Sequence, residues 1–266
     1  MPETKSGETH YAIEGSGPPL VLVHGLGMRR EMWRPLLPAL AARYTVVTYD
    51  LAGHGRSAPP ADPVRLSSLS EQLLRLMDEL KIATAPLAGF SLGGMIVRRF
   101  ALDHPDRAAA LIVLASAHDR TPAERAAVLK RVAESAERGP QATIDAAVER
   151  WFTPAWRDAH PEAIAEVRAA VLANDPAVYP KIYRVLAEGD EEIATAIAGL
   201  RLPFLAMTGS EDFGNSAGMA RRMAALVPDG EVHIVPGLKH MGIWEQPDAF
   251  TAPMLDFLAR RLPHKE

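Results

Sequence analysis

Apolar runs and amphipathic stretches alternate along the first part of the chain. Leu20–Val23, Thr45–Tyr49, Ile82–Phe90 and Ala109–Ala115 are short, nearly continuous apolar segments of the kind that form strands covered on both faces. Between them lie helical patterns: one across Trp33–Ala42, one with Leu69, Leu73, Leu76, Met77 and Leu80 on a single face, and one over Leu92–His104 with Met95, Ile96, Arg99 and Phe100 at helical spacing. Ahead of these, Tyr11 and Ile13 alternate with polar neighbours between Glu8 and Glu14, which predicts a short edge strand. Strands and helices that alternate with short connections predict a parallel sheet with helices on both faces.

The rhythm changes after residue 120. From Thr121 to Ala198 there is no strand-like run, only helical stretches at Pro122–Arg138, Gln141–Phe152, Glu162–Leu172, Ala177–Ala187 and Glu191–Ile197, punctuated by Pro140, Pro154, Pro161, Pro176 and Pro180. Alternation resumes with a strand at Phe204–Thr208, a helix at Ala217–Leu226, a strand at Val232–Val235 and a closing helix at Ala249–Arg261. An all-helical insert in such a fold is expected over the carboxyl edge of the strands, where ligands bind. The expected division is a core over 1–118, a helical lid over 119–198 and the rest of the core over 199–266.

Composition narrows the partners. With 266 residues, 48% hydrophobic and 23% charged, the chain suits one large domain with a sizeable core. A net charge of −4 supplies no basic field for nucleic acid or anionic lipid, so the expected partner is a small molecule. There are no cysteines, which excludes disulfides, thiolate metal sites and a cysteine nucleophile. The polar start Met1–Glu8 lacks the apolar centre of a secretory signal, and the longest apolar runs are far shorter than the ~20 residues a membrane-spanning helix needs. A cytoplasmic protein is therefore expected; nothing in the sequence sets its oligomeric state.

The chemistry centres on Gly89-Phe90-Ser91-Leu92-Gly93, a G-x-S-x-G between a predicted strand and a predicted helix. That is the pattern of a nucleophile elbow, in which a serine on a strained turn stands clear of the sheet and its neighbours must be small. Two further strand ends lead into Gly209-Ser210-Glu211-Asp212 and Gly237-Leu238-Lys239-His240. Residues at the carboxyl ends of parallel strands meet in space, so Ser91, Asp212 and His240 form a candidate triad in the chain order expected of such an elbow. Glu211 and Asp119 are alternative acids. His24 reads as a brace for the loop after the second strand, His54 and His104 as turn residues, and His118 as a candidate for the pocket wall. No H-E-x-x-H, complete dinucleotide fingerprint or phosphate-binding G-x-x-x-x-G-K occurs, so no metal or cofactor is expected.

These motifs together resemble the α/β-hydrolase family. His24-Gly25-Leu26-Gly27 with Trp33 resembles its oxyanion loop, Asp50 to Ser57 its D-x-x-G-x-G-x-S turn, and Gly237 to Pro247 its G-x-x-H…E-x-P ending. The resemblance implies a mostly parallel sheet of seven or eight strands flanked by helices, with a helical lid. It also implies catalysis by Ser91, His240 and Asp212, with the backbone N–H groups of Leu26 and Leu92 as the oxyanion hole. The chain departs from the pattern in a shortened N-terminal hairpin, which favours seven strands, and in lacking a proline just past Asp212. A serine at the elbow argues against haloalkane dehalogenases and epoxide hydrolases, which carry aspartate there. Within the insert, Trp151-Phe152-Thr153-Pro154-Ala155-Trp156-Arg157 and Asn174-Asp175-Pro176-Ala177-Val178-Tyr179 resemble the lid of 3-oxoadipate enol-lactonases. This implies a serine hydrolase of a small ester or lactone, with Trp151, Trp156, Tyr179 and His118 contacting substrate. If the likeness extends to substrate, a carboxylate must be met by a cation, and Arg98, Arg99, Arg150, Arg157, Lys181 and Arg184 are the candidates. A carboxylesterase, a C–C bond hydrolase, a perhydrolase and a ligand-sensing receptor of the same fold are the alternatives.

Overall fold

In the computed structural model, which describes residues 3–6 and 8–262, the apolar runs form one sheet. Its strands are β1 (Glu3–Ser6), β2 (Thr9–Glu14), β3 (Pro19–Val23), β4 (Thr45–Tyr49), β5 (Ala85–Phe90), β6 (Ala108–Leu114), β7 (Phe204–Gly209) and β8 (Gly230–Val235). They lie in the order β1-β2-β4-β3-β5-β6-β7-β8. Only β2 runs against its neighbours, pairing antiparallel with β1 and β4. The short N-terminal hairpin forms with four residues on its outer strand, so the sheet has eight strands rather than seven. β5 starts at Ala85, later than Ile82, because the preceding helix keeps hold of the chain: Lys81 turns left-handed at φ 56° and Ile82 N–H donates back to Met77 O at 2.8 Å.

Twelve α-helices complete the described fold: α1 (Leu37–Ala41), α2 (Leu66–Glu79), α3 (Leu92–Asp103), α4 (Pro122–Arg138), α5 (Ile144–Trp151), α6 (Pro154–Ala159), α7 (Pro161–Leu172), α8 (Tyr179–Glu188), α9 (Asp190–Ile193), α10 (Ala217–Leu226), α11 (Gly242–Glu245) and α12 (Asp248–Arg261). The helix expected across Trp33–Ala42 is split into a 3₁₀ turn at Arg30–Trp33 and α1. Pro35 has no N–H to carry a helix onward, whereas Pro38 sits in the first turn of α1, where no donor is required. The helices α11 and α6 are unanticipated, and α6 has a local cause. Thr153 caps it by accepting from Trp156 N–H at 3.4 Å, and Pro154 opens its first turn, so a proline read as a break acts as a start. Apolar residues of the insert, Val128, Phe152, Ile182 and Ile193 among them, join the same buried cluster as the sheet.

The chain leaves β3 toward β4 on one side and places β5 on the other, so the loops after β3 and β5 flank the point where strand order reverses. The loop after β4 braces that point. Asp50 accepts from Arg30 N–H at 2.8 Å and Arg56 N–H at 3.0 Å, and its Oδ2 lies 3.0 Å from His10 Nδ1. A Cβ on Gly55, where φ is 53°, would stand 2.3 Å from the Asp50 carboxylate. Ser57 closes the turn by donating to Asp50 O at 2.7 Å. Burial alone would raise the Asp50 carboxyl, but the backbone N–H donors of Arg30 and Arg56 and the His10 ring hold it below the usual carboxylate range.

His24 and His54 fasten the loop after β3. His24 Nε2 accepts from Leu51 N–H at 2.9 Å while Nδ1 faces Gly25 O at 2.8 Å, and His54 Nε2 accepts from Gly27 N–H at 2.9 Å. A ring nitrogen that accepts carries no proton, so both rings are neutral. Burial lowers both pKa values, that of His54 to about 3, with His24 nearby adding to the effect. The unfolded chain protonates each ring near pH 6.5 and the folded chain only at lower pH, so lowering the pH between these limits favours unfolding. Stability should fall as pH drops from 6.5 to 5, a window in which ordinary carboxylates stay largely ionised. The slope should approach about 1.4 kcal/mol per pH unit for each histidine. Urea unfolding across that window measures it, and a flat profile would contradict the account.

Candidate active site

The elbow is built by contact so close that side chains are excluded. A Cβ on Gly93 would stand 2.0 Å from Val23 O, and one on Gly89 would stand 2.3 Å from Gly93 O. α3 therefore presses its first turn against the ends of β3 and β5, and Ser91, between them, takes φ 54° and ψ −113°. That conformation costs a non-glycine residue about 1–3 kcal/mol and persists only where surroundings enforce it. Here Ser91 N–H donates to Leu114 O at 2.9 Å, and Ser91 O accepts from Gly94 N–H at 3.0 Å and Ser116 Oγ at 2.7 Å. Behind Ser116 lies Arg98, fully buried, whose Nη2 donates to Ser116 Oγ at 3.0 Å and Ala117 O at 2.7 Å. Burial pulls the Arg98 guanidinium down to about 9, against the attraction of Asp190.

Asp212 follows β7 and His240 follows β8, and the two are joined by a 2.7 Å contact between Asp212 Oδ2 and His240 Nδ1. The other oxygen, Oδ1, accepts from Asn215 N–H at 3.0 Å and Gly214 N–H at 3.2 Å, which fixes the carboxylate. With the proton on Nδ1, the ring's Nε2 is left as an acceptor. The Asn215 amide nitrogen is drawn 3.1 Å from the same Nδ1; the amide oxygen, which fills the same space after a half-turn, is the atom suited to a protonated nitrogen. The His240 ring packs 4.8 Å from the ring of Phe90, the residue before Ser91. Asp212, His240 and Ser91 are 4%, 7% and 8% exposed, largely shielded from solvent yet reachable from the cavity they line.

The loop after β3 supplies the fourth component. Met28 N–H donates to Gly25 O at 3.2 Å, which closes a turn and leaves Leu26 N–H outside that bond. Leu92 opens α3, so its N–H is among those with no acceptor within the helix. A Cβ on Gly25 would touch Ser91 Cβ at 3.1 Å, so this turn abuts the serine. The insert grips the same loops: Asn174 Nδ2 donates to Gly27 O at 2.9 Å, Met241 N–H to Trp151 O at 2.8 Å, and Thr153 N–H and Oγ1 to the Glu245 carboxylate at 2.8 and 2.5 Å.

Between insert and sheet lies a cavity of about 380 Å³ lined by Ser91, Asp212, His240 and Leu26, and by Trp151 and Tyr179 of the insert. Leu92 is fully buried beside it. Two expected wall residues lie elsewhere. Trp156 stacks between Phe152 and His160, at 4.9 and 4.3 Å, half-buried on the insert and away from the cavity. His118 is buried behind the elbow, where its carbonyl accepts from Arg222 and burial lowers its ring to about 4. Among the described residues the carboxylate bonded to His240 is that of Asp212; Asp119 and Glu211 do not line the cavity. Of the candidate cations only Arg150 reaches it, while Arg99, Arg157, Lys181 and Arg184 pair with Asp103, Asp158, Asp62 and Glu188 at the surface. No group of three or more His, Cys, Asp or Glu among the described residues is arranged to hold a metal ion.

Sequence reasoning missed Asn215, Asn174, Arg120 and Arg131. Arg131 had a signal: on α4 it lies between Val128 and Val132, which form the buried stripe, so it borders the covered face. Asn174 opened the lid segment quoted above but gave no sign of its bond to Gly27, and Asn215 gave none of its contact with the His240 ring, since both partners are remote in sequence. If the Arg98–Ser116–Ser91 chain holds the elbow, Ser116→Ala should destabilise the fold by about 1–3 kcal/mol, because it strips a buried guanidinium and a buried carbonyl of a partner. The urea midpoint reads this, and an unchanged midpoint would assign the elbow's geometry to the glycine contacts alone.

This arrangement matches known proteins over almost its whole length. A 30% identical relative, (E)-2-((N-methylformamido)methylene)succinate hydrolase of Acinetobacter baylyi, aligns over 94% of this chain and 93% of its own. 3-Oxoadipate enol-lactonase 2 of the same organism is 26% identical over 91% and 90%. The crystal structure of the enol-lactonase from Burkholderia xenovorans superposes with a TM-score of 0.87 at 28% identity, covering 97% of this chain and all of the other. The family model described as alpha/beta hydrolase fold matches residues 18–247, and the chain belongs to that family.

Proposed function

We propose that the protein is a serine hydrolase that cleaves an ester or lactone of a small molecule through an acyl-enzyme. The observation that carries this is the 2.7 Å pair of Asp212 and His240 in one small cavity with a serine held at positive φ. In the reaction, Ser91 Oγ attacks the substrate carbonyl carbon as its proton passes to His240 Nε2. Asp212 holds the proton on Nδ1 and stabilises the imidazolium. The N–H groups of Leu26 and Leu92 receive the oxyanion. The C–O bond to the leaving alkoxide then breaks, and that oxygen takes the proton from Nε2. Water, deprotonated in turn by Nε2, attacks the acyl-enzyme and releases the acid and Ser91. The helical segment 119–198 acts as a lid, its Trp151 and Tyr179 excluding water from the reacting carbonyl.

Within this class, enol-lactones of the 3-oxoadipate type are the first substrates to assay. The likeness of the Trp151–Arg157 and Asn174–Tyr179 segments to enol-lactonase lids supports this, as do relatives named for enol-lactone and succinate-derivative hydrolysis. A carboxylesterase is the second reading, favoured by a relative named as pimeloyl-[acyl-carrier protein] methyl ester esterase, 30% identical over 90% of this chain. A receptor of the same fold is separated from both by measuring turnover.

Ser91→Ala should lower kcat roughly 10⁵–10⁶-fold on any good ester or lactone and abolish labelling by a fluorophosphonate. A loss below tenfold would remove Ser91 from the chemistry. Asp212→Asn should cost about 10⁴ in kcat by destabilising the working tautomer of His240, whereas Asp119→Asn should retain most activity. The reverse pattern in steady-state kinetics would transfer the acid role to Asp119.

A further inference from the structure

The wall of the cavity formed by the insert is charged in a way that hydrolysis alone does not require. Four cationic side chains line the cavity, Arg120, Arg131, Arg150 and Lys239, against two carboxylates, Asp212 and Glu149. Asp212 is committed to His240, and Arg120 is committed to Asp190, which accepts from its N–H at 2.9 Å and its Nη1 at 3.2 Å. Lys239 donates to a backbone carbonyl, that of Glu149, at 3.0 Å. Among the described residues Arg131 has a neutral partner, its Nε donating to the Tyr183 hydroxyl at 3.0 Å. Arg150 is paired with no carboxylate among the described residues. Its immediate neighbour Glu149 is one residue away on α5, and such residues do not face each other on a helix.

Two guanidinium groups thus line one cavity with no carboxylate hydrogen-bonded to either among the described residues, and Arg150 feels repulsion from Arg131 and a weaker attraction to Glu149. Burial and that repulsion both lower the Arg150 guanidinium. Arg131 is half-buried and Arg150 exposed on the cavity wall, so both forks are placed to meet an anion that enters it. The Tyr183 hydroxyl, which accepts from Arg131, still has its own proton to donate. The donor set is therefore two planar forks and a hydroxyl, matched to a small, planar, two-oxygen anion.

We propose that Arg131 and Arg150, with Tyr183, form a subsite for a carboxylate carried by the substrate, so that the enzyme selects anionic esters or lactones over neutral ones. This rests on the hydrolase reading above and adds the substrate class. α4, α5 and α8 supply the three side chains and the core strands carry the candidate catalytic residues, so the insert reads the substrate's anionic end while the sheet edge holds its carbonyl.

The test compares monomethyl glutarate, which is anionic at pH 7, with neutral dimethyl glutarate. The wild-type enzyme should favour the anion in kcat/KM by at least tenfold. Arg131→Gln and Arg150→Gln should each reduce that preference at least tenfold through KM. Arg184→Gln, which alters a surface arginine paired with Glu188, should leave the ratio unchanged. Binding of monomethyl glutarate to Ser91→Ala protein, followed by calorimetry, gives a readout independent of turnover. It should weaken at least tenfold when Arg150→Gln is added and weaken on raising the salt concentration. Hydrolysis of both esters with a ratio insensitive to Arg131 and Arg150 would overturn the subsite and leave the hydrolase reading standing. Arg150-dependent binding by a protein that hydrolyses neither ester would keep the subsite and remove that reading. Binding to Ser91→Ala that is indifferent to both arginines would overturn the proposal outright.

Discussion

The absence of room between Gly93 and the carbonyl of Val23 is the constraint from which the rest follows. Because no side chain fits there, the first turn of α3 sits directly on the end of β3, and the chain between β5 and α3 must reverse within one residue. Ser91 is that residue. Its strain is offset by backbone bonds to the neighbouring strand and by the hydroxyl of Ser116, itself held by Arg98. The same close approach brings the N-terminus of α3 and the Gly25–Met28 turn up to the serine, so backbone N–H groups of both gather where the strained turn stands.

Two polar anchors keep this geometry from relaxing. On one side Asp50 gathers the backbone around it while His24 and His54, neutral and buried, bind the loops after β3 and β4 to each other. On the other, the insert is tied to the loops that carry the site: Asn174 to Gly27, Trp151 to Met241, and Thr153 to Glu245. The insert therefore contributes more than a cover. A change in any of these bonds is felt at the candidate oxyanion turn or at the loop of His240, which links residues far from the reacting carbonyl to its alignment.

Much of this was legible in the residues. The inner strands of the parallel sheet read as continuous apolar runs because both faces are buried, unlike the partly exposed β8 at its edge, and the elbow read as G-x-S-x-G because a Cβ on Gly93 or Gly89 would stand 2.0–2.3 Å from backbone oxygens. Asp212 and His240 were legible because residues that follow parallel strands share one edge. Errors fell where proline has two meanings, ending a helix or opening one, as at Pro35 and Pro154, and where an aromatic assigned to the cavity wall stacks instead on its neighbours in sequence, as at Trp156.

The sequence by itself determined the alternation, the helical insert, the chain order of serine, acid and histidine, and the glycines those turns require, since each rests on local spacing or on a side chain's size. Only the tertiary structure decided which acid meets His240, that His118 is buried away from the cavity, and that Arg131 and Arg150 line that cavity with no carboxylate bonded to either among the described residues. The reason is physical: a charge is identified as paired or unpaired by what lies within a few ångströms of it. For groups on different helices of the insert, that distance is set by packing between segments and leaves no trace in the spacing of either.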